Sequence, residues 1–250
     1  MPNYIHVHVY PNPEEVATNA AERIADFVRE KPNAVLGLAT GSTPEATYRK
    51  LIEAYHQGLD FSHVTTFNLD EYAGLPTDHR QSYRTFMEER LFKHLNIRPW
   101  NTHILDGTTP FPAFECAAFE QKIQARGGVD LWVLGIGQNG HIAFNEPGSP
   151  VDSRTRLVAL SPSTIAANSD GRFFHDRREV PRCALTAGIG TIREARQLLL
   201  LATGEKKAPA IASAVKGEFT TDVPASLLQD HRNCTFMLDA EAASQLGSAD

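Results

Sequence analysis

The chain has 250 residues and a formal net charge of −6 at pH 7, and its Lys and Arg residues form no basic run. An acidic protein has no general attraction for nucleic acid or anionic lipid, so we expect neither as a partner. Hydrophobic residues make up 42% of the chain. Because no linker-like stretch divides it, we predict one domain over residues 1–250.

Apolar runs alternate along the chain with segments of helical periodicity. We predict sheet-covering helices at 14–30 and 82–95, and strands at 5–10, 34–39, 64–69, 130–135, 197–203 and 234–238. Repeated strand–helix units are typical of a Rossmann-like α/β fold with an open, mainly parallel sheet and helices on both faces. Ligands of such sheets bind beyond the carboxyl ends of the strands, so residues that follow each strand are the first candidates for a site.

A polar turn follows the second predicted strand. Thr40, Gly41, Ser42 and Thr43 precede Pro44, which we expect to open a helix. The glycine lets a ligand approach the backbone closely, and a helix N-terminus supplies unpaired N–H groups with partial positive charge. The lysine of a nucleoside triphosphate loop is absent. The pattern predicts a phosphate site, and the alternative is a turn in which Ser42 or Thr43 only caps the helix.

Two adjacent carboxylates, Asp70 and Glu71, end the third predicted strand. Neighbouring residues of extended chain point in opposite directions, so one carboxylate can face a cleft while the other is solvated or paired. A partly desolvated carboxylate at a sheet edge is suited to removing a proton next to a carbonyl or imine. On its own the pair is more typical of a solvated turn. It becomes a site candidate because other candidate residues are predicted at the same edge of the sheet.

A glycine-rich turn at 135–140 follows the fourth predicted strand. It matches the GxGxxG spacing of a dinucleotide loop, but Pro147 interrupts any following helix and no acidic residue ends the next β-like stretch. We therefore expect neither NAD nor FAD to bind at this turn. The turn instead presents Asn139, His141 and Glu146 together. A histidine with a carboxylate partner moves protons in both directions near neutral pH.

The segment 147–182 is polar and rich in prolines, which predicts a lid or a site-forming insertion, with an ordinary surface excursion as the alternative. Arg172 lies in it, and Lys206 and Lys207 follow the fifth predicted strand. A guanidinium and an ammonium near the Thr40–Thr43 turn would supply the positive charge that a phosphate needs. Solvated surface charge is the alternative, and it is the stronger one for Lys206.

Cysteine and histidine positions argue against structural cross-links. The three cysteines are far apart without a CxxC pair, which excludes a disulfide framework and a thiolate zinc site. His6 and His8 alternate onto one strand face without a third ligand, so we expect no metal. The N-terminus has no secretory pattern, and no apolar run is long enough to span a bilayer. We expect a cytoplasmic protein without membrane contact.

Several longer motifs in fixed order resemble the glucosamine-6-phosphate deaminase family, also called glucosamine-6-phosphate isomerases. From about Ile5 to Asp239 they are ATGSTP, TTFNLDEY, GIGQNGHIAFNEP, SRTR, RFF, ALTAGIGTI and GEKKA. The resemblance implies an open α/β fold. It also implies a hydrolytic deamination coupled to aldose–ketose isomerisation in amino sugar catabolism, which gives fructose 6-phosphate and ammonia without a cofactor.

The same resemblance implies roles for the candidate residues. His141 would assist opening of the pyranose ring, held by Glu146 and Asn139, and Asp70 would take the proton from C2 and pass it toward C1. Some family members carry aspartate at the position of Asn139, so here this residue is expected to be a neutral orienting group.

The resemblance further implies that Arg172 and Lys207 clamp the substrate phosphate on the Thr40–Thr43 turn. The chain lacks the longer C-terminal region of hexameric, effector-activated members. We therefore expect a monomer or small homo-oligomer that N-acetylglucosamine 6-phosphate does not activate.

Two other functions remain open. A 6-phosphogluconolactonase shares the phosphate loop and the GxGxxGH turn, but usually carries Asp-Glu-Arg where this chain has Asp-Glu-Tyr at 70–72 and lacks the FNEP sequence at 144–147. A sugar-phosphate sensor without turnover would be expected to lose Asp70, His141 or Glu146, and all three are present. Both comparisons favour the deaminase.

Overall fold

The computed structural model describes residues 3–169, 174, 176 and 178–247. In this part of the chain the strands are, in order, β1 (Ile5–Tyr10), β2 (Val35–Leu38), β3 (Thr65–Asn68), β4 (Asp70–Tyr72), β5 (Thr102–His103), β6 (Leu131–Leu134), β7 (Arg156–Ala159), β8 (Cys183–Thr186), β9 (Gln197–Ala202) and β10 (Cys234–Asp239). Seven of them form a parallel sheet in the order β1-β10-β9-β6-β2-β3-β5. The other three form an antiparallel sheet in the order β4-β8-β7. The predicted open, mainly parallel sheet is confirmed.

Helices cover both faces of the large sheet. In chain order the helices of the described residues are α1 (Pro13–Glu30), α2 (Ser42–His56), α3 (Tyr83–Arg90), α4 (Pro112–Ala125), α5 (Pro162–Asn168), α6 (Ile189–Arg193) and α7 (Ala208–Lys216). Helix α5 instead packs through Ile165 against a third cluster that includes Tyr72 of β4 and Ala184 of β8. One core layer contains residues of α1, α2 and α3, and the other contains residues of α4, α6 and α7. Strand β6 contributes Leu131 and Val133 to the first layer and Trp132 and Leu134 to the second. Burial of both faces explains why the central strands are continuous apolar runs.

The predicted elements agree with the structure at most positions. Each of the six predicted strands matches an observed strand to within one residue at either end. The helix predicted at 82–95 is shorter, because Leu91 has a φ of −144° and ends α3, after which a 3-10 turn spans Phe92–His94. No helix in the described part of the chain is long and apolar enough to cross a membrane.

The smaller sheet is the main feature that the sequence patterns missed. Its strands have only three or four residues, too few to show a clear periodicity. The described part of 147–182 contains β7 and α5 and is therefore less irregular than predicted.

Candidate active site

The Thr40–Thr43 turn joins β2 to α2 at the carboxyl edge of the large sheet. Gly41 has a φ of +110°, a conformation that favours glycine. Helix α2 begins at Ser42, and its first turn receives no capping side chain from the described residues. The expectation that Pro44 opens the helix, with Ser42 or Thr43 as its cap, is wrong because the helix starts two residues earlier. The N–H groups of this turn therefore remain available to an anion.

Asp70 lies where the chain passes from β3 to the smaller sheet. The Leu69 N–H donates to the Leu38 carbonyl at 3.0 Å, which holds this point beside β2. Asp70 pairs with Thr186 across β4 and β8, and only 7% of its surface is exposed. Burial and, secondly, the charge of Glu71 raise the pKa of Asp70 well above its usual range. Its carboxylate is therefore a stronger base than that of an ordinary aspartate.

Glu71 serves a different purpose from its neighbour. Its carboxylate accepts hydrogen bonds from the backbone N–H groups of Tyr72 and Tyr83 at 2.9 Å and of Arg84 at 3.0 Å. Two of these donors belong to the first turn of α3, so Glu71 stabilises the start of that helix. Of the two adjacent carboxylates, Asp70 is the one left to act as a base.

Asn139, His141 and Glu146 form a hydrogen-bonded chain beyond β6. The Oδ1 atom of Asn139 lies 2.7 Å from Nδ1 of His141, and its Nδ2 donates to Oε2 of Glu146 at 2.8 Å. The same Oε2 lies 3.8 Å from Nδ1 of His141. Because a carboxamide oxygen only accepts hydrogen bonds, Nδ1 carries the proton and Nε2 is left as a proton acceptor. The structure thus brings these three predicted residues together, with Asn139 between the other two.

The surroundings set the charges of His141 and Glu146. Burial lowers the pKa of His141, the Glu146 carboxylate acts to raise it, and Lys207 acts to lower it. Burial acts to raise the pKa of Glu146, but hydrogen bonds from Thr164 and Asn139, together with His141, hold this pKa below its ordinary value. The pair therefore consists of a neutral imidazole and an ionised carboxylate near pH 7.

Close packing fixes the turn that carries His141. A Cβ atom at Gly137 would lie 2.2 Å from Cε1 of His141, so a side chain there would displace the ring. Farther along, the Phe144 N–H donates to Oγ1 of Thr186 at 3.1 Å. Since Thr186 also pairs with Asp70, it contacts the His141 turn and the Asp70 strand alike.

Two hydroxyl groups that the sequence reasoning missed also contact Glu146. Oγ of Ser161 donates to Oε1 at 2.9 Å, and Oγ1 of Thr164 donates to the same oxygen. Ser161 is also the N-cap of α5, accepting from the Thr164 N–H at 3.1 Å. A serine directly before Pro162 is a helix-start signal that predicts α5, although not its contact with Glu146.

Lys207 directs its ammonium toward the same edge of the sheet. Its Nζ donates to the Ile136 carbonyl at 2.5 Å, and burial lowers its pKa. Because β6 pairs with β2, Ile136 follows the strand next to the one that carries the Thr40–Thr43 turn. Lys206 is exposed. Arg172 lies outside the described residues, so its place in a phosphate clamp stays a prediction.

Known proteins resemble this chain over nearly its full length. Residues 12–237 match the family described as glucosamine-6-phosphate isomerases/6-phosphogluconolactonase. Glucosamine-6-phosphate deaminase 2 of Giardia intestinalis is 56% identical over 234 residues, covering 93% of this chain and 88% of that protein. Glucosamine-6-phosphate deaminase 2 of Bacillus subtilis (strain 168) is 52% identical over 239 residues, covering 94% and 95%.

Solved structures show the same relationship. A monomeric glucosamine-6-phosphate deaminase is similar with a TM-score of 0.93 and 44% identity, covering 96% of this chain and 99% of that one. The 6-phosphogluconolactonase from Trypanosoma cruzi has a TM-score of 0.80 at 22% identity, covering 99% of both chains. The similarity to the lactonase is one of fold alone.

Proposed function

The chain belongs to the glucosamine-6-phosphate deaminase family, and on this basis we propose that it converts D-glucosamine 6-phosphate and water into D-fructose 6-phosphate and ammonia. The observation that carries the proposal is the buried Asp70 at the same sheet edge as the hydrogen-bonded His141 chain. Isomerisation of an amino sugar needs a base for the proton on C2, whereas hydrolysis of a lactone does not.

In the proposed first step His141 opens the pyranose ring. Its Nε2 takes the proton of the C1 hydroxyl and returns a proton to the ring oxygen, so that the bond from C1 to that oxygen breaks and a C1 carbonyl forms. Asn139 holds the imidazole ring of His141 through its Nδ1 atom. The nearby Glu146 carboxylate stabilises the imidazolium that forms transiently.

In the second step Asp70 removes the proton from C2. The electrons of that bond form a C1–C2 double bond while the carbonyl oxygen takes up a proton from the C2 ammonium group of the substrate, giving an enolamine. Return of the proton from Asp70 to C1 leaves an iminium at C2, and addition of water then expels ammonia and leaves the ketone. The raised pKa of Asp70 suits it to both directions of this transfer.

The Thr40–Thr43 turn and Lys207 are proposed to bind the substrate phosphate. Free N–H groups at the start of α2 favour an anion. Gly41 has a positive φ, which favours glycine, and glycine has no side chain to obstruct the anion. With Arg172 as a further cation, this site would hold the sugar with its reacting carbons toward the carboxyl ends of β3 and β6.

The test is to incubate the protein with glucosamine 6-phosphate and to follow ammonia and fructose 6-phosphate together. Equal release of both products is the expected result. A parallel incubation with 6-phosphogluconolactone is the control, and turnover of the lactone alone would overturn the proposal. Binding of glucosamine 6-phosphate without either product would indicate a sensor.

We also propose that the chain acts as a monomer of one domain, with 147–182 closing over the site. A structurally similar deaminase is described as monomeric, which supports the smaller of the expected assemblies. Light scattering after size exclusion should give a mass near 27.5 kDa, and a multiple of that mass would contradict the proposal.

A further inference from the structure

Glu146 receives hydrogen bonds from two separate parts of the chain. Its Oε2 accepts from Asn139, in the turn beyond β6, at 2.8 Å. Its Oε1 accepts from Ser161 at 2.9 Å and from Thr164, both at the start of α5. The carboxylate therefore connects the His141 turn with a helix of the segment 147–182.

The donors on α5 influence the charge of Glu146. Its side chain is only 15% exposed, and burial by itself favours the protonated form. Against burial, the hydrogen bond from Thr164 is the largest contribution that lowers the pKa, followed by the hydrogen bond from Asn139, the charge interaction with His141 and the hydrogen bond from Ser161. A hydroxyl that donates to a carboxylate stabilises its ionised form, so loss of these donors would raise this pKa.

Titratable groups of the described residues also act on the pair. Among the described residues, His141 acts on Glu146 directly, and Lys207 acts on His141. Ser161 and Thr164 are neutral at every relevant pH, so their influence depends only on where α5 places their hydroxyls.

We propose that Ser161 and Thr164 are positioning residues for the deaminase reaction, which hold Glu146 with its second oxygen toward Asn139 and His141. They act through Glu146 and not on the substrate. Since both lie at the start of α5, the position of this helix fixes both donors together. The inference rests on the proposed function of that chain.

Thr164→Val is the most direct test. Thr164 is 6% exposed, and valine keeps its shape while removing only the hydroxyl, so the Thr164 N–H still bonds to Ser161. We expect kcat to fall about tenfold with KM within about twofold, because ring opening is slowed and phosphate binding is not. The titration midpoint of the Glu146 carboxyl should rise, because a donor to its ionised form is lost.

Thr164→Ser is the matched control because it restores the hydroxyl. It should return kcat close to the wild-type value. Ser161→Ala provides a second variant that removes the other donor, and its kcat should also fall with little change in KM. An unchanged kcat in both Thr164→Val and Ser161→Ala would overturn the inference, as would equal losses in Thr164→Val and Thr164→Ser.

A readout without substrate separates this inference from the proposed function. Carbon-13 NMR of labelled glutamate carboxyls, with Glu146→Gln to assign the signal, follows the titration of Glu146 itself. Its midpoint should rise in Thr164→Val and not in Thr164→Ser, and equal midpoints in wild type and Thr164→Val would overturn the inference. Wild-type protein without turnover would contradict the proposed function, while the titration would still decide whether these hydroxyls set the charge of Glu146.

Discussion

The carboxamide oxygen of Asn139 lies 2.7 Å from Nδ1 of His141. This contact keeps the imidazole in the tautomer that leaves Nε2 free to accept a proton. Asn139→Leu removes the contact together with the bond to Glu146, so we expect kcat to fall by about 100-fold with KM little changed. Steady-state kinetics with glucosamine 6-phosphate measures both.

The matched variant is Asn139→Asp, which still accepts from Nδ1 of His141 but faces Glu146 with a like charge. Its kcat should stay within about tenfold of wild type. The titration midpoint of the Glu146 carboxyl, followed by carbon-13 NMR, should rise, since a second carboxylate beside it disfavours its ionised form. Full activity of Asn139→Leu would show that His141 does not need a hydrogen-bond partner at Nδ1 to hold its tautomer.

Asp70→Asn tests the proposed base. The amide retains the shape of the side chain but cannot take a proton, so exchange of the C2 proton with deuterated solvent should be abolished. Binding of the substrate should be largely intact, because the phosphate site lies elsewhere. Exchange would be followed by proton NMR, and its persistence would exclude Asp70 as the base.

The raised pKa of Asp70 also predicts a pH-dependent stability. A carboxyl whose pKa is higher in the folded chain than the unfolded value of about 3.9 favours folding while it is protonated. That contribution is complete below the unfolded pKa and is lost as the pH rises through the folded pKa. Asp70→Asn should therefore unfold at a higher temperature than wild type at pH 8, with the difference shrinking toward pH 4. A difference of equal size at both pH values would contradict this assignment.

Gly41→Ala tests the phosphate turn. An L side chain at a φ of +110° costs roughly 1–3 kcal/mol, so the backbone should shift and the KM for the sugar phosphate should rise. Gly58→Ala is the control, since Gly58 has a φ of +102° and follows the far end of α2. Both variants should lose stability in urea unfolding, and only Gly41→Ala should change KM. An equal KM in the two variants would show that the turn does not bind the substrate phosphate.

Thr186→Val tests the connection between the two sheets. It leaves the Phe144 N–H without its acceptor, and an unpaired buried donor costs about 1–3 kcal/mol of unfolding free energy. Thr186→Ser keeps the hydroxyl and should lose clearly less. Urea unfolding of the two variants gives the comparison, and similar losses would contradict a specific cost of leaving the Phe144 N–H unpaired.

The sequence patterns predicted the large sheet because its strands are buried on both faces. They also placed Asp70, Asn139 and His141 at one edge, since residues that follow parallel strands meet there. They did not decide between Asp70 and Glu71. That choice depends on α3, whose first N–H groups take up the Glu71 carboxylate.

Contacts between distant segments were beyond such patterns. Ser161 and Thr164 lie 15 and 18 residues after Glu146, and no periodicity links a carboxylate in a turn to hydroxyls of a later helix. The start of α2 was misplaced for a local reason, because Pro44 is tolerated throughout a first turn, where its missing N–H has no partner to lose.

Thr186 lies 42 residues after Phe144, and its hydroxyl oxygen accepts a hydrogen bond from the Phe144 N–H. During synthesis on a ribosome, every proposed proton-transfer residue from Asp70 to Glu146 therefore emerges before the strand that joins their two segments. A chain released before residue 183 would contain the complete set of reacting side chains and still lack β8 between them. Activity in a growing chain should consequently arise late, after β8 has inserted between β4 and β7 and after β9 and β10 have joined the large sheet.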